Sequence, residues 1–218
     1  SYETPEGHRL SLSGEYYDDE GIRRQRVNMR EVTRGGVPTG NATLSDQVMS
    51  RYSTVLKYTN EKATGLFDPE VLLYFNQTEL DLSQLDGSYG RGFFTSEYHS
   101  IGGHAQNTFN FGMGSVTAGA DFYHDWTDIG RDPTSSGTLN YIDERITNIG
   151  TYFQARLNPA ERLEVSTGLR ADYQSYRSVD EKTFENFGLS PNINLGYRLT
   201  EGLTAKAGYS YVFGGIEQ

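Results

Sequence analysis

The fold is decided by the stretch Leu163-Glu164-Val165-Ser166-Thr167-Gly168-Leu169-Arg170-Ala171-Asp172-Tyr173-Gln174. Its odd-numbered residues are apolar, threonine or tyrosine, whereas its even-numbered residues are charged, polar or glycine. Because successive side chains of a β-strand point to opposite faces of the sheet, this pattern predicts a strand with one apolar and one polar face. The apolar face is compatible with lipid and the polar face with water.

Three further segments repeat this alternation, near 148–157, 192–199 and 203–211. Segments of about ten residues match the length that a tilted strand needs to cross a bilayer. Their connections alternate as well, since short turns at 158–162 and 200–202 lie on either side of a longer polar loop at 175–188. Short turns at one rim and long loops at the other are typical of outer-membrane β-barrels.

The same pattern extends over the whole chain. It predicts strands near 8–18, 50–59, 69–79, 99–112, 115–126, 145–157, 162–175, 189–199 and 202–213. Short turns are predicted at 1–7, 60–68, 112–115, 158–162 and 199–202, and long loops at 19–49, 80–98, 127–144 and 175–188. About nine strands is an odd number, whereas single-chain bacterial barrels have an even number. We therefore predict an all-β, transmembrane antiparallel β-barrel in which residues 1–218 form a segment of one larger barrel domain.

Two segments leave alternatives open. Residues 71–75 form a continuous apolar run, so the facing of the strand at 69–79 is undecided. Leu44, Val48, Met49 and Tyr52 have near-helical spacing, which is compatible with a short helix in the first long loop.

Composition excludes several classes of protein. The chain carries a formal net charge of -10, which disfavours sequence-independent binding to nucleic acid. It has no cysteine, which excludes thiolate catalysis, cysteine-ligated zinc and disulfides. Hydrophobic residues make up 35% of the chain, and no apolar run is long enough for a membrane-spanning helix. This proportion of hydrophobic residues is small for the core of a soluble protein, but it is sufficient for a barrel that needs apolar side chains only towards lipid.

Several segments resemble the turn and strand units of TonB-dependent outer-membrane receptors. They are the Thr4-Pro5-Glu6-Gly7 turn with the strand that follows it at 8–17, the segment Gly168-Leu169-Arg170-Ala171-Asp172-Tyr173, and the stretches at 187–192 and 197–203. The resemblance covers most of the chain. It implies a barrel of about 22 strands that is plugged by an N-terminal domain. It further implies uptake of a metal chelate, a ferric siderophore or a haem-like ligand, with energy from the TonB complex. The plug and the TonB-binding segment are not in this sequence.

Two groups of charged residues are candidates for function. The first loop carries Arg23, Arg24, Arg26 and Arg30, whose guanidinium groups suit an anionic chelate or lipopolysaccharide phosphates. A solvated loop neutralised by its own carboxylates is the alternative. Charges near the short turns form the second group, which is predicted to face the lumen and contact the plug, with simple solvation as the alternative: Arg156, Glu164, Arg198 and Lys206.

Other side chains give weaker indications. His99 and His104 differ by an odd number of positions, so they are predicted on opposite faces and cannot share a metal ion. No metal site, cofactor or catalytic constellation is predicted, and the chain is not expected to be an enzyme. An interfacial girdle, in contact with outer-membrane lipid, is predicted from the aromatic residues near strand ends: Tyr16, Tyr58, Phe122, Trp126, Tyr173, Tyr209 and Phe213.

The leading functional hypothesis is therefore an active transporter in the outer membrane of a Gram-negative bacterium. A passive outer-membrane channel or a small structural barrel without energy coupling is the main alternative. A barrel enzyme would need a catalytic constellation that the sequence does not contain.

Overall fold

The computed structural model describes residues 1–24, 33–34, 37–38, 44–84, 93–132 and 140–215. Every regular element in these ranges is a β-strand. Within them, no helix is long and apolar enough to cross a membrane. The strands are β1 (Tyr2–Glu3), β2 (His8–Arg24), β3 (Thr33–Arg34), β4 (Val37–Pro38), β5 (Leu44–Asn60), β6 (Pro69–Gln84), β7 (Phe93–Phe111), β8 (Gly114–Asp132), β9 (Asn140–Ala160), β10 (Leu163–Arg177), β11 (Thr183–Thr200) and β12 (Leu203–Ser210).

Ten of these strands form one sheet with the order β1-β2-β5-β6-β7-β8-β9-β10-β11-β12. Each long strand pairs antiparallel with its neighbour in the chain, and β3 and β4 form a separate two-stranded ladder. The two ends of the large sheet do not pair with each other in the part of the chain that the structure describes. Unpaired strand edges are costly in hydrocarbon, so this open sheet is in keeping with one section of a larger closed barrel.

All nine predicted strands are present, but most of them are longer than predicted. β9, for example, runs over Asn140–Ala160 rather than 145–157. The added residues lie mostly towards the long-connection rim, so the loops predicted at 19–49, 80–98, 127–144 and 175–188 were drawn too long. Hydrophobic alternation marks only the part of a strand that meets lipid. Beyond it both faces meet water, yet backbone pairing continues.

Two local predictions were wrong. The connection after β10, predicted as a long loop at 175–188, spans only 178–182. The connection at 61–68 on the opposite rim, predicted as a short turn, is longer than that loop. The segment that carries Leu44, Val48, Met49 and Tyr52 is strand β5, not a helix. A spacing of four residues is even, so it fits one face of a strand as well as one face of a helix.

The predicted facing is confirmed by the register of the strands. Leu169 lies opposite Phe153, and Val165 lies opposite Leu195, on one face of the sheet. The other face carries Arg170, Asp172, Gln154, Asn194 and Lys206. The undecided strand β6 follows the same rule, because Leu72 pairs with His104 on the polar face and Val71 therefore lies on the apolar face.

Burial is inverted relative to a soluble protein. Among the described residues, Ala155 is the buried hydrophobic residue, whereas Ser100, Asn148 and Asp172 are buried polar ones. Large apolar side chains are exposed instead, and Leu12 is 69% exposed. Soluble domains bury such side chains. The apolar face is thus the outward face towards lipid, and the polar face is the inward face towards the lumen.

The lipid-facing surface has a sharp upper limit. Glu79, Glu97, Asp128 and Asp143 lie side by side on the outward face of four consecutive strands. Carboxylates in this number are too costly for hydrocarbon. We call this line of residues the acidic row, and it marks the end of the lipid-facing surface towards the long-connection rim.

The aromatic girdle is only partly as predicted. Six of the seven predicted residues lie on the outward face: Tyr16, Tyr58, Phe122, Trp126, Tyr173 and Tyr209. Phe213 does not, because its ring covers the inward side of Gly188. The final segment leaves regular strand geometry after Ser210, which turns this ring towards the lumen.

Candidate functional site

An arginine on strand β10 organises the middle of the inward face. The guanidinium of Arg170 donates two hydrogen bonds to Asp121, at 2.5 and 2.8 Å. It also donates to both carboxylate oxygens of Asp172 at 2.9 Å. Asn148 donates to Asp172, and the ring of Tyr152 lies 5.9 Å from the guanidinium carbon. Hydrogen-bonded charges of this kind are strong and geometrically specific, so they fix these side chains on the wall.

Gly150 makes this arrangement possible. Asp121, Gly150 and Asp172 lie side by side on β8, β9 and β10. Arg170 reaches Asp121 only by crossing β9 above Gly150. A Cβ atom at Gly150 would collide with the Arg170 guanidinium and lie 3.0 Å from Asp121 Oδ1. Glycine is therefore needed here for space.

A second network lies nearer the short-turn rim. Glu70 pairs with Lys57 at 2.6 Å and with His104 at 2.9 Å. Gln106 donates to the same carboxylate at 3.3 Å and accepts a hydrogen bond from Tyr152 at 2.7 Å. Through Tyr152 this network adjoins the Arg170 network. Together the two networks connect paired polar groups across the inward side of strands β5 to β10.

Four charges that the sequence assigns to the lumen lie near the short-turn rim. Arg156, Glu164 and Lys206 line one depression of about 460 Å³ together with Asn194. Arg198 shares their face but does not line the depression. Within the described ranges, none of the four forms an ion pair. Their contact with a plug stays a prediction.

The arginines of the first loop are only partly described. Arg23 forms an ion pair with Asp19, four residues earlier on the same strand. The pair lies beyond the lipid-facing surface, and hydrogen bonds from Arg23 lower the pKa of the Asp19 carboxyl below its ordinary value. An anionic ligand would have to compete with this carboxylate. The side chain of Arg24, and both Arg26 and Arg30, lie outside the described residues.

The two histidines lie on opposite faces, as predicted. His104 contacts Glu70 on the inward face. His99 stacks on Trp126 on the outward face, with ring centroids 4.8 Å apart. In the described part of the chain, no group of three histidine, aspartate or glutamate side chains is arranged to hold a metal ion.

The sequence missed the partners within the two networks. Asp121 has no basic partner on its own strand, and its partner Arg170 lies two strands away. Finding that pair requires the register across β9, which hydrophobic alternation alone does not fix. The glycine at 150 was the available signal, since glycine inside a strand often marks a close approach.

Residues 2–215 match the family model described as TonB dependent receptor-like, beta-barrel. The chain belongs to this family. Its β-barrels lie in the outer membrane of Gram-negative bacteria, which agrees with the outward apolar face and the inward charged face found here. It is a family of receptors and transporters.

Curated relatives of this TonB-dependent receptor barrel include the heme transporter BhuA of Brucella ovis, which is 30% identical over 206 residues. The alignment covers 94% of this chain and 29% of that protein. BhuA of Brucella abortus is 29% identical, and that alignment also covers 94% of this chain and 29% of the relative. The chain thus spans less than a third of the curated relatives that it matches.

Solved structures show the same fold. The FrpB iron transporter from Neisseria meningitidis superposes with a TM-score of 0.70 at 17% identity, covering 94% of this chain and 34% of that one. The copper transporter OprC superposes with a TM-score of 0.65 at 15% identity, covering 76% and 30%.

Gly150→Ala should displace Arg170 from Asp121. We expect the intact receptor to lose about 1–3 kcal/mol of its free energy of unfolding, because a charged group on the wall loses its partner. Chemical denaturation in lipid vesicles measures this change. Gly202→Ala is the matched control, since a Cβ atom there meets nothing within 4 Å.

A double substitution sharpens the test. When Arg170→Gln is already present, Gly150→Ala should cost much less, because contacting residues are not energetically additive. An equal cost with and without Arg170 would contradict the proposed role of Gly150.

Proposed function

We propose that this chain forms part of the wall of an active outer-membrane transporter that takes up a metal chelate. The ligand class is a haem-like chelate or a ferric siderophore. Support comes from the relatives named heme transporter, which align with 94% of this chain. Because the chain covers 29% of their length, transport by the whole protein is itself part of the proposal.

The transporter proposal is supported most directly by a set of cations at the short-turn rim that have no ion-pair partner among the described residues. Arg156, Arg198 and Lys206 lie on the inward face and form no ion pair within the described ranges. Elsewhere on the same face, Arg170 and Lys57 are held by carboxylates. A plug that presents acidic or carbonyl oxygens would supply the missing partners for these cations.

In the proposed transporter, the plug and the TonB-binding segment are separate from residues 1–218. The plug is a separate N-terminal domain, the closed barrel has about 22 strands, and residues 1–218 are one section of it. Energy comes from the TonB complex through segments outside this chain. We propose that lipid and lipopolysaccharide surround the barrel, and that Arg23, Arg24, Arg26 and Arg30 bind an anionic chelate or lipopolysaccharide phosphate. The section has no catalytic role and needs no resident cofactor.

A passive channel is the second candidate function. The specific observation in its favour is the hydrophilic inward face, which would also suit a water-filled pore. In such a channel the rim cations would be solvated and would set ion selectivity instead of holding a plug.

Removal of the rim cations distinguishes the two candidates. Arg156→Ala and Arg198→Ala in the intact receptor should convert a silent protein into a leaky one, because the plug loses contacts with the wall. Conductance of planar bilayers that contain each variant measures this leak. Arg145→Ala is the control, since Arg145 lies on the outward face and pairs with Asp143.

A wild-type protein that already conducts steadily, and whose ion selectivity shifts with the same substitutions, would show a channel and defeat the transporter proposal.

Uptake is tested by growth on single iron sources. A deletion strain that carries the intact receptor should grow on haem or on a ferric siderophore only when both the receptor and TonB are present, since a plugged barrel needs energy to open. Colony growth on each source, with and without TonB, gives the measurement. Growth that persists without TonB would contradict active transport.

A further inference from the structure

A second depression on the inward face lies between strands β6, β7 and β8, on the long-connection side of the Arg170 network. It has a volume of about 580 Å³. We call it the tyrosine pocket, and its lining includes Tyr74, Tyr98, Tyr123, Asn76, Ser100 and Asp125. Val55, Leu72 and Ile146 add apolar side chains to this lining. A depression with aromatic and apolar walls and a few polar groups has the composition of a binding site.

The pocket is shaped by the register of its strands. Tyr74, Gly102 and Tyr123 lie side by side on β6, β7 and β8. A Cβ atom at Gly102 would lie 2.5 Å from the Tyr74 hydroxyl oxygen and 2.7 Å from the Phe122 carbonyl oxygen. Only glycine lets the Tyr74 phenol lie across β7, so Gly102 and the two tyrosines together form one wall of the pocket.

Asp125 supplies the charge of the tyrosine pocket. Its Oδ1 atom accepts a hydrogen bond from Ser100 at 2.5 Å, and Ser100 is 6% exposed. Within the described ranges Asp125 forms no ion pair, although Asp121 and Asp172 on the same face share Arg170. Asp125 is therefore a positioned carboxylate that interacts with the hydroxyl groups of Ser100 and Tyr98, but with no cation among the described residues.

We propose that the tyrosine pocket receives an arginine or lysine side chain from the plug. This inference rests on the proposed function, because it needs a plugged lumen. A carboxylate that a plug covers loses water and requires a cation in exchange. Phenol rings favour a basic side chain, since their faces attract cations and cover its alkyl stem. An anionic chelate would be repelled by Asp125.

The pocket also gives the wall a polarity that a plug can recognise. On strands β9 to β12, the inward face near the short turns carries three cations, Arg156, Arg198 and Lys206, and the carboxylate of Glu164. Higher on the wall, Asp125 has no basic partner among the described residues, and Glu144 accepts a hydrogen bond from the Tyr176 hydroxyl at 2.9 Å. A plug with acidic groups below and a basic side chain above fits in only one orientation, since like charges in register would repel.

Photo-crosslinking in the full-length receptor tests the pocket. A benzoylphenylalanine at Tyr98 keeps an aromatic ring in the wall, and mass spectrometry identifies the peptide to which it couples. We expect a plug peptide that contains an arginine or lysine. Asp125→Asn should lower the crosslinking yield roughly tenfold, because a buried ion pair loses one partner. Asp125→Glu should retain most of it.

Asp128→Asn is the matched control. Asp128 lies three residues along the same strand but on the outward face, in the acidic row. The yield should not change in this variant. Heat-modifiable migration of each variant establishes that the barrel has folded before the yields are compared.

A second probe at Lys206 separates failure of the pocket from failure of the plug. Crosslinks to a plug from Lys206 but none from Tyr98 would overturn the pocket proposal alone. No plug crosslink from either position would overturn both proposals. A Tyr98 probe that couples only to added haem would show that the pocket binds ligand and not the plug. A crosslinking yield that Asp125→Asn does not change would show that the carboxylate does not bind a basic side chain. Either result overturns the proposal.

Discussion

In the hydrocarbon core of a bilayer, a backbone N–H or C=O group has no water to bind, so every strand that crosses must pair with a neighbour on each side. The rest of the structure depends on this constraint. It requires antiparallel strands that pair along their length, of the kind seen in β2 and in β5 to β12. It also divides each strand into two faces. Leu169 and Phe153 meet lipid, while Arg170 and Gln154, one residue further along, meet the lumen.

The inward face follows from this division. In the described part of the chain the inward face has no apolar core, and polar pairs such as those of Arg170 with Asp121 and Asp172 hold the wall across strands. Glycine has a special place in such a wall. Gly150 and Gly102 each leave room for a neighbouring side chain to cross a strand, and each thereby creates a group of interacting residues that no single strand contains. The inward surface is consequently patterned in charge, basic at the short-turn rim and acidic above it.

The sequence predicts the fold well because alternation is a local property. Leu163 to Gln174 can be assigned to two faces without knowledge of any other strand, and the facing of β9 to β12 is confirmed on the same basis. Strand ends could not be predicted, because above the acidic row both faces meet water and the alternation disappears. The helix suggested around Leu44 was wrong, because residues four positions apart lie on one face of a helix and also on one face of a strand.

The candidate site was less predictable. Arg156, Glu164 and Lys206 could be placed on one face by parity, and the structure brings them around one depression. The Arg170 network and the tyrosine pocket depend on which residue of one strand lies opposite which residue of the next. That register is set by the turns and by pairing along the whole strand. A one-residue slip would turn Arg170 to the lipid, so its partners cannot be read from β10 alone.

The central claim is that odd and even residues of β10 lie in different solvents. A single spin label placed in turn at each position from Leu163 to Arg177, in the intact receptor in lipid vesicles, tests it directly, since this chain has no cysteine of its own to label. Accessibility to oxygen, which partitions into lipid, should be high at Val165, Leu169 and Ala171. In an open lumen, accessibility to a water-soluble nickel chelate should be lower at these positions than at Arg170 and Asp172. Where a plug covers Arg170 and Asp172, both oxygen and the nickel chelate should be excluded from these two positions. Oxygen accessibility without a two-residue period, or with its maxima at Arg170 and Asp172, would contradict the account.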